Sequence, residues 1–212
     1  MGCPDCTRSG EPSPIVCNRS AVAYTSVMRE WLGQYKYRGN ERYAPLLGLM
    51  LDSAYLTLRK EKQNALVSRK PFIIPRPWSA DLLVPVPVSD SRLMERGFNQ
   101  AERLANVLSR RRKVPQLPLL IRTHHTGKQS FKSRAERLTD MKHAFAGNPA
   151  ITVQFADWLK RMRSLDRPVR IIIVDDIYTT GSTIRACAEI IKQIVSDNGY
   201  RVEVYSLTWA RS

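Results

Sequence analysis

No stretch of this chain is apolar for the roughly 20 residues that a membrane span needs. Its N-terminus, M-G-C-P-D-C, lacks the apolar core of a signal peptide and, with Cys6 where Ser or Thr is required, misses the myristoylation pattern. These absences lead to the expectation of a cytoplasmic protein with no membrane insertion, whose four cysteines are thiols or metal ligands and not disulfides. A Walker A loop and a Gly-x-Gly-x-x-Gly fingerprint are both missing, which disfavours nucleotide hydrolysis and dinucleotide chemistry. Neither an internal repeat nor a low-complexity tract occurs. Negative charge is scarce as well: 19 Asp and Glu against 34 Lys and Arg leave +15. Such an imbalance points to a polyanionic partner, most often nucleic acid, with a solvated basic surface around a phosphate pocket as the blander reading.

Against that background one stretch stands out, residues 174–183, V-D-D-I-Y-T-T-G-S-T. Ile171, Ile172, Ile173 and Val174 form a β-branched run typical of a parallel strand buried on both faces. Asp175 and Asp176 follow at its C-terminal end, and Ile184, Cys187, Ala188 and Ile191 mark a helix beyond. The C-terminal edge of such a strand is where open α/β sheets bind ligands. The turn from Tyr178 to Thr183 offers backbone N–H groups, hydroxyls and a helix N-terminus, which suit a phosphate. Two carboxylates beside a phosphate cradle make sense if the ligand also carries vicinal hydroxyls, which ionised carboxylates accept from strongly. A capped helix with an acidic first turn would account for one Asp or Thr, but not for this order of ten residues.

The rest of the chain reads as one main domain with a small appendage. Cys3-x-x-Cys6 followed by Cys17-x-x-Ser20 has the spacing of a zinc ribbon with one ligand replaced by serine. Zinc on Cys3, Cys6 and Cys17 and a remnant that binds nothing are both open. Tyr24, Val27, Met28, Trp31 and Tyr35 predict one face of a helix, and a second helix is expected over residues 41–58. Residues 59–78 read as a basic, proline-punctuated connector. A short strand at residues 81–84 leads into Pro85, Val86, Pro87 and Val88, then Ser89, Arg92 and Arg96-Gly97-Phe98-Asn99-Gln100. A proline-rigid loop at a strand end, flanked by arginines and by a helix that Asn99 caps, is a second candidate anion site. That helix ends in the basic cluster Arg110, Arg111, Arg112 and Lys113. Leu117 to Ile121 predicts a strand, residues 122–130 a mobile cationic loop, and Ser133 with Glu136 a capping box opening another helix. Phe155, Trp158 and Leu159 suggest a short helix, and Val202 to Leu207 a last strand. His124, His125 and His143 have no carboxylate partner nearby in sequence and read as surface residues.

The 174–183 stretch resembles the signature of type I phosphoribosyltransferases. Lys36-Tyr37-Arg38-Gly39, Val84-Pro85-Val86-Pro87, Arg96-Gly97-Phe98-Asn99-Gln100-Ala101, and Arg122 with Thr126, Gln129 and Arg137 extend the likeness to the ComF family. The resemblance implies an α/β phosphoribosyltransferase fold, a mostly parallel central sheet flanked by helices. A degenerate zinc-ribbon-like segment would occupy residues 1–21 and the phosphoribosyltransferase-like domain residues 22–212. It implies that Asp175 and Asp176 hold the ribose hydroxyls of phosphoribosyl pyrophosphate (PRPP). Thr179, Thr180, Gly181, Ser182 and Thr183 would wrap its 5′-phosphate. Val86, Pro87, Val88, Arg92 and Arg96 would cradle the pyrophosphate with Mg²⁺, and Arg122 and Gln129 would close over C1′. As partners it implies single-stranded DNA and other proteins of DNA uptake. Two functions stay open at this point: a PRPP-binding accessory factor of natural transformation, and a phosphoribosyltransferase of nucleotide salvage that acts on a base or an amine.

Overall fold

A computed structural model describes residues 13–37, 40–69, 76–123, 144–162 and 166–212. At its centre are four strands, β1 (Asn18–Ala23), β2 (Leu82–Pro85), β5 (Val169–Tyr178) and β6 (Val202–Arg211), in the spatial order β1-β6-β5-β2. Every pairing between them is parallel. Ile171, Ile172, Ile173 and Val174 have no exposed surface. Successive side chains of a strand point to opposite faces, so this run serves two cores at once. Ile171 and Ile173 pack with Val204, with Ile184, Cys187, Ala188 and Ile191 of α6 (Ser182–Asp197), and with Phe155, Trp158 and Leu159 of α5 (Thr152–Met162). Ile172 and Val174 pack on the other face with Tyr205, Leu207 and Trp209. Against them lie α1 (Ser26–Tyr37), α2 (Ala44–Arg69) and α4 (Gln100–Arg112). Each Ile or Val removed from water in this way contributes about 1.5–3 kcal/mol. The result is a mixed α/β protein with helices on both faces of a parallel sheet.

Several elements differ from expectation for identifiable reasons. Residues 41–43 form a 3₁₀ turn, and α2 runs on to Arg69 through most of what reads as a connector. Residues 59–69 lack apolar periodicity but are rich in helix formers, and tertiary contacts anchor them. Arg19 is bound to Glu61, Lys62 lies 5.3 Å over the Tyr205 ring, and the backbone N–H of Trp78 donates to Gln63 Oε1 at 2.6 Å. In α1 Met28, Trp31 and Tyr35 face the core as expected, joined by Leu32 and by Tyr24 before the helix, whereas Val27 is 53% exposed. Gly48 of α2 lets α4 approach closely, since a Cβ there would stand 2.6 Å from Val107 Cβ.

The strand expected at residues 117–121 is shorter and lies elsewhere. β3 (Leu120–Arg122) pairs antiparallel with β4 (Phe145–Gly147) in a separate two-stranded sheet. Residues 115–117 run beside β2, where Leu83 N–H donates to Pro115 O and Leu117 N–H to Leu83 O. Residues 90–96, which carry no apolar period, form a two-turn helix, α3 (Asp90–Arg96). β1 straddles the boundary expected between residues 21 and 22: from Val16, whose N–H donates to Val204 O at 2.8 Å, the chain is already bonded to β6. The capping box at Ser133 and the loop beyond His124 lie outside the described residues.

Candidate functional site

β5 carries both acids past the point where β2 ends, so they stand at the C-terminal edge of the sheet. Strand alternation turns them to opposite faces. Asp176 is buried on the α1 side, where its carboxylate forms an ion pair with Lys36. Asp175 turns to the α6 side, and its Oδ1 accepts from the Asp176 backbone N–H at 2.8 Å. Burial, reinforced by the neighbouring Asp176 charge, pushes the Asp175 carboxyl well above the usual carboxylate range. Burial likewise pushes up the Cys187 thiol, which lies on α6 and feels the charges of Asp175 and Arg122.

The turn after β5 leads straight into α6. Gly181 is its N-cap with φ 76°, in the left-handed region that glycine tolerates. A Cβ at Gly181 would lie 2.6 Å from Tyr178 Cζ, so a side chain is excluded there twice over. The N-cap glycine has no side chain, and Ser182 N–H, the first of α6, donates to Thr180 Oγ1 at 3.4 Å. Thr180 Oγ1 and Ser182 Oγ are 3.1 Å apart, Thr179 and Thr180 are exposed, and Ser182 and Thr183 are half-buried. The turn therefore presents hydroxyls beside a helix N-terminus, an arrangement suited to an anion.

The second loop lies next to the first because β2 and β5 are neighbours, with Val86 N–H donating to Val174 O at 2.9 Å. Val86 is buried; Pro87 and Val88 are half-buried. The stretch Arg96-Gly97-Phe98-Asn99-Gln100 then builds the corner behind this loop. Gly97, at φ 77°, ends α3 and donates to Leu93 O. Phe98 is buried against Tyr35, ring centroids 5.3 Å apart. Asn99 caps α4 by accepting from Ala101 N–H, and its own amide donates to Val86 O at 3.0 Å. Arg96 Nη1 donates to Gln100 Oε1 at 3.1 Å. Arg92 lies on α3, exposed.

Arg122 closes β3 with its guanidinium 5.3 Å over the Phe145 ring. Burial, with Arg92 adding to it, lowers its affinity for a proton, while Cys187 and Asp175 act in the opposite sense. Arg122 thus lies within electrostatic reach of both Arg92 and Asp175. Gln129 lies outside the described residues, as do Cys3 and Cys6. Cys17 is half-buried just before β1, and burial pushes its thiol up against the opposing pull of Lys62 and Arg19. Ser20, the fourth position of the ribbon spacing, lies inside β1 with Oγ 2.7 Å from Thr208 Oγ1. Among the described residues no three His, Cys, Asp or Glu gather in a metal-binding group.

Lys36, Tyr35 and Gln100 also belong to this corner; the sequence marked Lys36 and Gln100 as motif residues and Tyr35 as core, without a part at Asp176 for any of them. The Tyr35 hydroxyl donates to Gln100 O at 3.2 Å, and burial, with the Asp176 charge adding to it, pushes that hydroxyl up. A lysine directly after the last inward aromatic of α1 is the signal that could have marked the site.

The fold defines a parallel α/β protein whose candidate site residues lie where such sheets bind ligands. No protein-family model matches the chain. It is 30% identical over 219 residues to competence protein ComFC of Bacillus subtilis, covering 99% of this chain and 72% of that protein. Competence protein F of Haemophilus influenzae is 30% identical over 115 residues, 54% of this chain and 45% of that protein. DNA utilization protein YhgH of Escherichia coli O157:H7 is 29% identical over 178 residues, 78% of this chain and 68% of that protein. The chain belongs to the ComF family.

Proposed function

We propose that this chain is a PRPP-binding, phosphoribosyltransferase-like protein that acts in DNA uptake and contacts single-stranded DNA. One observation carries the ligand: two acids close to the C-terminal end of a parallel strand lead into a hydroxyl-rich turn and a helix that begins at a left-handed glycine. A diol donates to Asp175 and Asp176, the 5′-phosphate accepts from the turn of Thr179 to Thr183, and the 1-diphosphate lies toward Val86, Pro87, Val88, Arg92 and Arg96. Mg²⁺ would accompany the diphosphate and be held by ligand oxygens, given that no three metal-ligating side chains gather among the described residues. The type I phosphoribosyltransferase fold belongs to this proposal and is supported by the parallel sheet with its site at the β5 edge. The names of the relatives, competence and DNA utilization proteins, support the DNA role, as does the net charge of +15. No helix among the described residues is long and apolar enough to cross a membrane.

A second reading, transfer of the phosphoribosyl group to a base or amine, is favoured by Arg122 within reach of Asp175. There a cation can stabilise departing diphosphate. Titration with PRPP and Mg²⁺, followed by a screen of bases, amines and single-stranded DNA, separates the two. Asp175→Asn with Asp176→Asn should weaken PRPP at least ~100-fold, since each hydrogen bond to a charged group contributes about 1.5–3 kcal/mol. It should leave DNA binding intact. DNA binding lost with the fold retained would place DNA across the pocket and sink the two-site picture. Zinc on Cys3, Cys6 and Cys17 is the remaining part of the proposal. Metal content equal in wild type and in Cys3→Ser/Cys6→Ser would remove it.

A further inference from the structure

We propose that Lys36 is a specificity-determining residue that makes this site prefer a sugar phosphate carrying a 1-diphosphate over ribose 5-phosphate itself. The inference rests on the PRPP reading of the site and names the residue that discriminates within it. Lys36 forms its ion pair with Asp176 in a confined position, the two side chains being 19% and 11% exposed. An ammonium has three N–H donors. One meets Asp176 Oδ2, and the other two can reach a ligand oxygen without breaking that pair. The carboxylate in turn keeps Oδ1 for a sugar hydroxyl.

The placement of Lys36 fits that bridging part. α1 packs against α3, the helix that carries Arg92 and Arg96 directly after the Val86 to Ser89 loop. The end of α1 is tied to the start of α4 through Tyr35 and Gln100. Gln100 is 2% exposed. Its Oε1 is taken by Arg96, while its Nε2 has no acceptor among the described residues. A buried donor without an acceptor is costly; this one stands in the same corner as Lys36.

Charge points the same way. Lys36 flanks the acid pair on the α1 side, and Arg122 lies within electrostatic reach of Asp175 on the other. Lys36 has two N–H donors beyond the one it gives Asp176. They suit ligand anions beyond the 5′-phosphate, which the Thr179 to Thr183 turn already serves. A substituent at C1 of the sugar, beside the hydroxyl that Asp176 accepts from, is the nearest place for them.

Calorimetric titration of the full chain with PRPP, ribose 5-phosphate and inorganic pyrophosphate, each with Mg²⁺, tests this. Lys36→Met should weaken PRPP and pyrophosphate by about tenfold or more, the loss of one charge-assisted hydrogen bond. Ribose 5-phosphate should stay within about threefold, because Asp176 becomes freer for its hydroxyls while the phosphate turn is untouched. Lys36→Arg should restore most of the preference. Where Lys36→Met loses a cooperative unfolding transition, Lys36→Gln keeps a donor for Asp176 without the charge, and the same ratio of affinities decides. Equal losses for both sugars, or no loss for either, would make the ion pair a structural strut and overturn the proposal. A wild-type protein that binds pyrophosphate but neither sugar phosphate would overturn the reading of the site itself. A wild-type protein that binds both sugars equally would overturn only the part given to Lys36.

Discussion

Replacing Asp52 by alanine probes how the basic cluster at the end of α4 is built. Asp52 lies buried on α2, and its carboxylate accepts from Arg111 Nε at 2.8 Å, Arg112 Nε at 2.5 Å and Arg112 Nη2 at 2.8 Å. Burial by itself would raise this carboxyl, but the hydrogen bonds from Arg112 and Arg111 together outweigh it and hold the group below its ordinary value. Removing one partner of a buried pair costs about 3–5 kcal/mol when the orphaned charge stays buried. Here the orphans would be arginines that are 48% and 22% exposed, so both can rehydrate and the Arg111 contact is largely screened. The expected loss for Asp52→Ala is therefore about 2 kcal/mol. Arg112→Gln, which leaves the carboxylate buried with one partner, should cost a similar amount, and Arg111→Gln less than about 1 kcal/mol. The sign with pH follows from the lowered carboxyl. The contribution is full above the unfolded value of about 3.9 and fades as pH falls through the native one. Urea unfolding followed by circular dichroism at pH 7, and again at the lowest pH where the protein folds, gives both quantities. A midpoint for Asp52→Ala equal to wild type at pH 7, or a gap that does not narrow in acid, would refute the reasoning. The consequence reaches function: Arg112, and less strongly Arg111, clamp α4 to α2, so within this cluster Arg110 and Lys113 are the members to neutralise when probing DNA.

Gly181→Ala should lower stability by about 1–2 kcal/mol through the left-handed backbone alone, with the crowding against Tyr178 added to it. An unchanged urea midpoint would show that the turn relaxes. Asp175→Asn should flatten the pH dependence of stability. In wild type the native carboxyl holds its proton while the unfolded one, near about 3.9, has lost it, so stability falls as pH rises from there through the raised native value. A decline equally steep in the Asn variant, measured by urea unfolding across that range, would contradict this.

The central sheet was legible because burial on two faces leaves a continuous apolar run, and Ile171 to Val174 is such a run. The acid pair and the turn after it stood out because helix capping uses one Asp or Thr and leaves the rest of the run without a structural reason; the structure sets both acids close to the end of β5 and leads the turn into α6. The Asn99 cap was visible from Glu102 three residues on, and it forms, with Asn99 also tying down the Val86 carbonyl. What escaped was tertiary. Residues 59–69 stay helical because Glu61, Lys62 and Gln63 find partners on β1, on β6 and before β2, and no local pattern records those partners. Residues 90–96 form a helix from polar residues that pattern reading assigns to a loop. The basic run at Arg110 to Lys113 reads as surface charge, yet its middle two members converge on a buried aspartate 59 and 60 positions away. Lys36 was visible as a family residue, and only the fold sets it against Asp176.

On the proposed reading the pocket and the charged exterior would meet phosphate in two different ways, and the difference bears on whether one ligand could use both. A polyanion is held by many Lys and Arg, with little regard to sequence and with strong dependence on salt. The corner at Asp176 instead places a carboxylate where a phosphate would be repelled and a hydroxyl welcomed. An internal nucleotide of DNA has no 2′-hydroxyl, and its 3′-oxygen is esterified, so it offers this carboxylate no donor at all. On the proposed reading the acids therefore act as a filter as well as a grip, admitting a small sugar phosphate with a free diol and turning a nucleic acid backbone away. Lys36 sharpens the filter, because its charge is already committed in part to Asp176 and is presented to a ligand only at the spot where that ligand's hydroxyl must also arrive. On the same reading a strand of DNA would be confined to the exterior, where exposed cations such as Arg110 and Lys113 flank the clamped pair between them.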